Sequence, residues 1–206
     1  GRTPSRAALY RHFHRIAWLA VVLTLCVVIF GAFVRLSDAG LSCPDWPTCY
    51  GRAAWPQAPA EVADHAASQI RPFENHKAWR EQVHRHIAAI LGVLVLSLAL
   101  LAARRRRFGP AQILGASVLV AAAIPAYMYG HIGAAFALAG AGQAVLLLAA
   151  LRWSNVDMAR AAALTLAVII FQALLGKWTV TLLLKPVIVM AHLMGGLLTF
   201  SLITWT

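Results

Sequence analysis

The chain has 206 residues, of which 61% are hydrophobic and only 12% are charged. This composition predicts an integral membrane protein and excludes a soluble domain with a large core. The formal net charge is +11, but the basic residues stand in short segments between apolar runs, as the positive-inside rule describes. The charge therefore predicts a membrane orientation and no nucleic-acid partner. Because the chain starts with Gly1 and stops inside an apolar run at Thr206, we expect a fragment or a processed chain.

The apolar runs predict an all-α fold, a polytopic transmembrane helical bundle with about six spans. At about 1.5 Å per helical residue, about twenty residues cross a bilayer. Residues 108–151 contain no Asp, Glu, Lys or Arg and suit two spans, with a glycine-containing turn near 129–133. The first run is too long for a cleavable signal peptide and lacks a small-residue cleavage site. The predicted spans are 16–34, 83–103, two within 108–151, 161–180 and 186–206.

The basic segments predict which side of the membrane each loop occupies. Arginines cluster before the first span and again at 104–107, which places both segments in the cytoplasm. The chain then divides into four regions: a cytoplasmic basic flank at 1–15, a first helix pair at 16–107 with an outer Cys loop at 36–78, a transmembrane hairpin at 108–152, and a second helix pair at 153–206, truncated at its C-terminus. Every loop then lies on a side that its charge permits.

Two cysteines lie in the Pro-rich Cys loop, at Cys43 and Cys49. Outside the cytoplasm such a pair predicts a disulfide. A zinc site needs further Cys or His ligands close by, and the sequence has none there. Two unpaired thiols are the other alternative, which an oxidising compartment disfavours. The spacing leaves open whether the disulfide is structural or redox-active.

Glu81 and His84 mark the start of the second span. They are three residues apart and share a helix face, and titratable groups at the edge of a span are costly there and often functional. His84 is a candidate metal or haem ligand, and Glu81 a candidate proton-handling residue. The alternative is an ordinary polar helix start, since a Glu near an N-terminus suits the helix dipole.

His192 lies at a similar predicted depth to His84, on a different span. Two such histidines suit bis-imidazole ligation of a haem iron, and Gly195 and Gly196 would let a flat macrocycle approach the backbone. Gly92 and Gly176 can serve the same purpose or only close helix packing. The alternative for each histidine is a hydrogen-bonded packing residue.

Arg35 and Arg85 lie near the same predicted outer surface. Haem propionates are carboxylates, and arginine is their natural bidentate partner. We therefore predict that both arginines bind the cofactor. The alternative is two interfacial arginines with nothing to hold.

Several motifs near the predicted outer surface carry a family resemblance. The most specific are the Cys loop and the Glu-x-x-His-Arg element. Together the motifs resemble the haem A synthase family over about residues 1–107 and 160–206. The matching stretches are Gly31–Leu36, Gly40–Gly51, Asn75–Trp79, Glu81–Arg85, Gln172–Thr181 and Lys185–His192.

The resemblance implies an eight-span protein made of two similar four-helix halves, each supplying a histidine pair to a haem. It implies that His84 and His192 hold the substrate haem, that Glu81 is the acidic residue implicated in catalysis, and that Cys43 and Cys49 are the outer cysteine pair. The implied reaction oxidises the methyl group at carbon 8 of haem O to the formyl group of haem A, by successive hydroxylations, for cytochrome oxidase biogenesis. A haem b is expected in the second half.

The chain departs from the family pattern in two ways. Residues 108–152 look like an inserted transmembrane hairpin, and an even number of extra spans preserves the sidedness of the later spans. The second four-helix half is not in this chain. Three other functions stay open: a non-catalytic bis-His membrane cytochrome b, a membrane thiol–disulfide redox protein that uses Cys43 and Cys49, and a structural assembly subunit.

The same interpretation predicts partners and a location. We expect haem O as the substrate, contact with haem O synthase and cytochrome oxidase assembly factors, and a homo-oligomer in the lipid bilayer. We expect a multi-pass protein of the bacterial inner (plasma) membrane, with the Cys loop on the periplasmic side.

Overall fold

The computed structural model describes residues 6–154, 158–181 and 186–205, with side chains described for 12–154, 158–177 and 190–204. Within these ranges the regular structure is helical, apart from one bridge between Cys49 and Arg52. The predicted all-α class is confirmed. The elements are α1 (Arg6–Leu36), a 3-10 turn (Pro59–Val62), α2 (Ala66–Ile70), α3 (Asn75–Ala103), α4 (Gly109–Met128), α5 (Ile132–Arg152), α6 (Ala159–Thr181) and α7 (Pro186–Trp205).

Helices α1, α3, α4, α5 and α6 are each long and apolar enough to cross a membrane. The chain is therefore a multi-pass helical membrane protein, as predicted. The sixth predicted span corresponds to α7, of which the described apolar part is the shorter segment Met190–Thr204. Parts of two predicted regions, the basic flank and the second helix pair, lie outside the described residues, at 1–5, 155–157, 182–185 and 206.

Two helices begin earlier than the apolar pattern predicts. α1 starts at Arg6 rather than near residue 16, and α3 starts at Asn75 rather than at Val83. The polar first turns of α3 are stabilised by the Cys loop: the Asn75 amide donates to the Pro56 and Gln57 carbonyls at 3.2 and 2.8 Å. Hydropathy finds the membrane-embedded part of a helix and misses polar turns that are held by other contacts.

The chain divides into two compact units. The hairpin unit contains Gly1–Val21, Gly92–Phe171 and Thr199–Thr206, and the Cys-loop unit contains Val22–Leu91 and Gln172–Leu198. In the hairpin unit α4 packs closely on α5. The two helices are so close at Gly142 that a Cβ there would lie 2.7 Å from a backbone oxygen of α4. These two helices occupy the residues of the predicted hairpin.

The Cys-loop unit contains every site residue predicted from the sequence. Its loop, residues 37–74, holds the 3-10 turn and α2. Cys43, Cys49 and Ala78 are fully buried together at the contact between the loop and α3. Tyr50 and Phe73 pack against this cluster, and their two rings meet edge-to-face with centroids 5.6 Å apart. The loop is thereby packed on the first turns of α3.

Candidate functional site

Asp45 organises the tip of the Cys loop. Its carboxylate accepts the backbone N–H groups of Tyr50 at 2.6 Å and Gly51 at 2.8 Å, and also the Thr48 hydroxyl. Tyr50 has a left-handed backbone with φ of 52°, a conformation that these bonds help to hold. The short segment between the two cysteines is therefore fixed by a side chain within it.

The structure pairs Cys43 with Cys49, the two cysteines that the sequence predicts to form a disulfide. Both cysteines are fully buried. Reactive thiols are ordinarily partly exposed, so this environment favours a structural role over exchange with an external partner.

Glu81 joins the Cys loop to α3. The residue is buried, and its Oε2 accepts the backbone N–H groups of Ser42 at 2.7 Å and Cys43 at 2.9 Å. Its Oε1 accepts from the Arg85 guanidinium at 2.6 Å. A buried carboxylate needs such compensation because removing it from water is otherwise expensive. Glu81 is therefore an anchor of the loop as well as the predicted acidic site residue.

The Arg85 guanidinium is occupied by contacts within the protein. Its Nη1 donates to the carbonyl oxygens of Asp45 and Thr48, both at 2.8 Å, and to the Gln82 amide oxygen at 3.3 Å. With the bond to Glu81, this arginine holds α3 against the carbonyls of the loop. Its predicted role as a propionate ligand stays a prediction, and these contacts show a second task.

His84 lies on α3 against two residues of α1. Its ring stacks on Phe30 with centroids 6.4 Å apart and 25° between planes. A Cβ on Gly31 would lie 2.8 Å from Cε1 of His84, so only glycine leaves room for the ring in this position. Nδ1 of His84 is buried and has no hydrogen-bond partner among the described residues.

His192 on α7 has the same kind of neighbour on α6. A Cβ on Gly176 would lie 3.3 Å from its Cε1. A backbone group of Gln172 faces the ring. Nδ1 of His192 is buried and makes no hydrogen bond of normal geometry to a described residue. In both helix pairs a glycine on the first helix makes room for a histidine on the second.

The structure brings His84 and His192 close enough for their charges to interact. Among the described residues no three His, Cys, Asp or Glu side chains gather to hold a bare metal ion. Two imidazoles are too few for a structural zinc site, but they would suffice to hold the iron of a haem. The two buried imidazoles fit such a group, and Gly31 and Gly176 leave room for their rings.

The other glycines predicted to admit a macrocycle behave differently. A Cβ on Gly195 would overlap the Gln172 side chain, so that space is already filled. Gly196 lies beside Val28, with the Cβ position 3.6 Å from Cγ2, and Gly92 has no neighbour within 4 Å. The glycine next to His84 is Gly31, which the sequence marks only as part of a motif.

Two further arginines of the unit, Arg35 and Arg80, differ in how exposed their side chains are. The predicted ligand Arg35 is exposed at the end of α1, and its side chain bonds to none of the described residues. Arg80, which was not among the predicted site residues, lies one turn before His84 with its guanidinium over Phe33 and Trp79. The i, i+4 spacing from Arg80 to His84 was the available signal.

The fold and the site together define a multi-pass helical membrane protein with two buried imidazoles that would fit a haem. The family model described as COX15-CtaA, cytochrome oxidase assembly protein, matches residues 14–140 and 127–206. The chain belongs to this family, and the resemblance drawn from its motifs is confirmed.

The curated relatives are named for one enzyme. "Heme A synthase" of Shewanella oneidensis is 35% identical over 195 residues, which cover 92% of this chain and 43% of the relative. "Heme A synthase" of Oceanobacillus iheyensis is 32% identical over 88 residues, 42% of this chain and 24% of the relative. That of Geobacillus thermodenitrificans is 30% identical over 90 residues, 44% of this chain and 23% of the relative. No solved structure matches significantly.

The chain thus spans less than half the length of the relatives that it matches.

Proposed function

We propose that this chain is the substrate-binding half of a haem A synthase, an oxidoreductase that converts the methyl group at carbon 8 of haem O to the formyl group of haem A. The observation that carries the proposal is the pair His84 and His192. Each imidazole lies against a glycine of a neighbouring helix and has a buried, unpartnered Nδ1. Membership of the family and the names of the relatives agree with it.

In this proposal His84 and His192 would hold the iron of the substrate, haem O. The bound haem would supply the redox chemistry of the methyl oxidation. Gly31 and Gly176 set the position of the imidazoles, because a side chain at either position would push the ring away. The imidazoles thus orient the substrate while leaving its edge free to react.

Glu81 is proposed to accept a proton released during the oxidation. A carboxylate offers about four acceptor sites, and the N–H groups of Ser42, Cys43 and Arg85 use three of them. One site remains for the reaction. The proposed disulfide between Cys43 and Cys49 keeps the loop that supplies two of these donors in place.

The ligand assignment is tested with single histidine variants of the purified chain. We expect His84→Ala and His192→Ala to lose bound haem, measured by the reduced-minus-oxidised spectrum and by haem extraction. His86→Ala is the matched control, because His86 lies on α3 two residues further on, exposed, with Nδ1 bonded to the Gln82 carbonyl oxygen at 2.6 Å. Undiminished haem in His84→Ala would show that the ligand assignment is wrong.

The role of Glu81 is tested separately with Glu81→Gln in the natural full-length protein. The amide keeps an oxygen for the Ser42 and Cys43 N–H groups but cannot take up a proton. We expect haem O to stay bound and the yield of haem A, measured by chromatography of extracted haem, to fall at least about tenfold. Full conversion by this variant would refute the proton-accepting role.

Location and partners are part of the same proposal. We place the protein in the bacterial inner membrane with the Cys loop in the periplasm, a haem b in the second half, and haem O synthase, cytochrome oxidase assembly factors or a second copy as partners. Arg52→Cys adds an exposed thiol on the loop. We expect an impermeant maleimide to label this residue in intact spheroplasts. Absence of labelling would show that the loop lies on the cytoplasmic side.

A membrane cytochrome b would use the same histidine pair without chemistry on the haem. Product analysis separates the two functions, because haem A forms only with the synthase. Thiol–disulfide exchange is disfavoured by the complete burial of Cys43 and Cys49.

A further inference from the structure

Three arginines near the paired histidines differ in what their N–H donors contact. Arg85 is bound to the Asp45 and Thr48 carbonyls and to Glu81. Arg35 is exposed to the surroundings. Arg80 is partly buried, its Nε is fully buried, and none of its donors has a hydrogen-bond acceptor among the described residues. A partly buried guanidinium whose N–H groups have no acceptor is a favourable binding site for an anion.

The position of Arg80 is fixed by aromatic side chains. Its guanidinium carbon lies 4.9 Å from the Phe33 ring centroid and 5.8 Å from that of Trp79. Phe33 in turn packs on Phe30, at 5.8 Å between centroids, and Phe30 stacks on His84. Cation–π contacts hold the cation without using its N–H groups. The donors of Arg80 therefore stay available beside the cluster that carries His84.

We propose that Arg80 binds a carboxylate of the molecule held at His84, which in the proposed function is a propionate side chain of the haem. The inference rests on that function and replaces Arg85 as the principal carboxylate partner. Arg80 and His84 are one helical turn apart and share a face of α3. A planar guanidinium binds a carboxylate through two parallel N–H bonds, and partial burial strengthens them.

Arg85 is less suited to this task. To bind a propionate it would have to give up carbonyl oxygens of the Cys loop and the Glu81 carboxylate, which would leave buried acceptors unsatisfied. Arg80 gives up no hydrogen bond to a described residue when it binds an anion. The difference in existing contacts therefore favours Arg80 over Arg85, and partial burial distinguishes Arg80 from the exposed Arg35.

The test combines a variant with a modified ligand. Haem B and its dimethyl ester, which lacks both carboxylates, are titrated into the purified chain, and binding is followed at the Soret band. We expect the wild type to bind the acid about tenfold more tightly than the ester. In Arg80→Met the two should bind equally, with ester affinity unchanged. Arg105→Met, which removes an exposed arginine of the hairpin unit, should keep the wild-type ratio.

Each other outcome has a distinct meaning. A wild-type acid-to-ester ratio in Arg80→Met, or a ratio of one in the wild type, overturns the role of Arg80 while the haem site stands. Binding that is absent, or that survives His84→Ala, overturns the proposed function too. Loss of co-purifying anionic phospholipid with an unchanged ratio would show that Arg80 holds a lipid headgroup instead. If Arg80→Met folds poorly by circular dichroism, Arg80→Lys, which keeps the charge and loses the fork, must lower the ratio.

Discussion

Replacing Gly31 by alanine places a methyl group against the His84 ring. The new Cβ would lie 2.8 Å from Cε1, whereas ordinary contact begins at 3.4 Å, so the ring must move by about 0.6 Å. Overpacking of this kind costs about 1–3 kcal/mol. In the helix itself alanine is favoured over glycine by about 1 kcal/mol, so we expect the variant to fold.

The strain should appear when a ligand requires the original ring position. A displaced imidazole binds iron less well, and since each 1.4 kcal/mol is a factor of ten, we expect haem affinity to fall about tenfold or more. The assay is a Soret titration of the purified chain. Gly176→Ala should have a smaller effect, because its Cβ would lie 3.3 Å from His192, about 0.1 Å inside ordinary contact.

Gly92→Ala is the matched control, since it makes the same change on α3, where no atom of a described residue lies within 4 Å of the added atom. Its haem affinity should equal that of the wild type. If Gly31→Ala binds haem as tightly as Gly92→Ala, then the glycine does not set the ring position that the ligand needs, and the reasoning from the glycine spaces is refuted.

Two further predictions concern the Cys loop. Asp45→Ala removes three hydrogen bonds from the loop tip, so we expect proteolytic cleavage between residues 44 and 52 to become faster. The control is Asp64→Ala, which changes an exposed carboxylate. Equal cleavage rates in the two variants would contradict the role of Asp45. Burial raises the pKa of Tyr50 above its ordinary value of 10.0, with Arg71 opposing the shift. The folded loop thus retains this proton more tightly, so the stabilisation is complete below about pH 10 and is lost as pH rises through the folded-state pKa. The difference in thermal unfolding temperature between pH 9 and pH 11 should therefore be smaller in Tyr50→Phe than in the wild type. An equal difference in the two proteins would refute the contribution of Tyr50.

The spans can be predicted from the sequence because a helix that crosses a membrane needs a long, uninterrupted apolar run. Uninterrupted apolar runs of bilayer length have few alternatives, and glycine marks the turn of the hairpin. The matched depth of His84 and His192 is predicted by the same topology, and in the structure the two side chains are close enough for their charges to interact. These features depend on local composition and on counting spans.

The features that the sequence did not predict depend on contacts between distant residues. Arg85 and Asp45 are far apart in the chain, so nothing local indicates that the arginine is occupied by loop carbonyls. The same holds for Gly31 beside His84, and for the Gln172 side chain that fills the space at Gly195. Such details follow from how helices pack, which periodicity does not determine.

The bonds of Glu81 have a consequence for the biogenesis of the protein. Its partner Arg85 lies on the same helix, four residues later, so α3 by itself carries the two charges as a neutral pair. The N–H groups of Ser42 and Cys43 become available only when the Cys loop has folded over that helix. Insertion of α3 can therefore precede folding of the loop, and the carboxylate then serves as the point on which the loop closes.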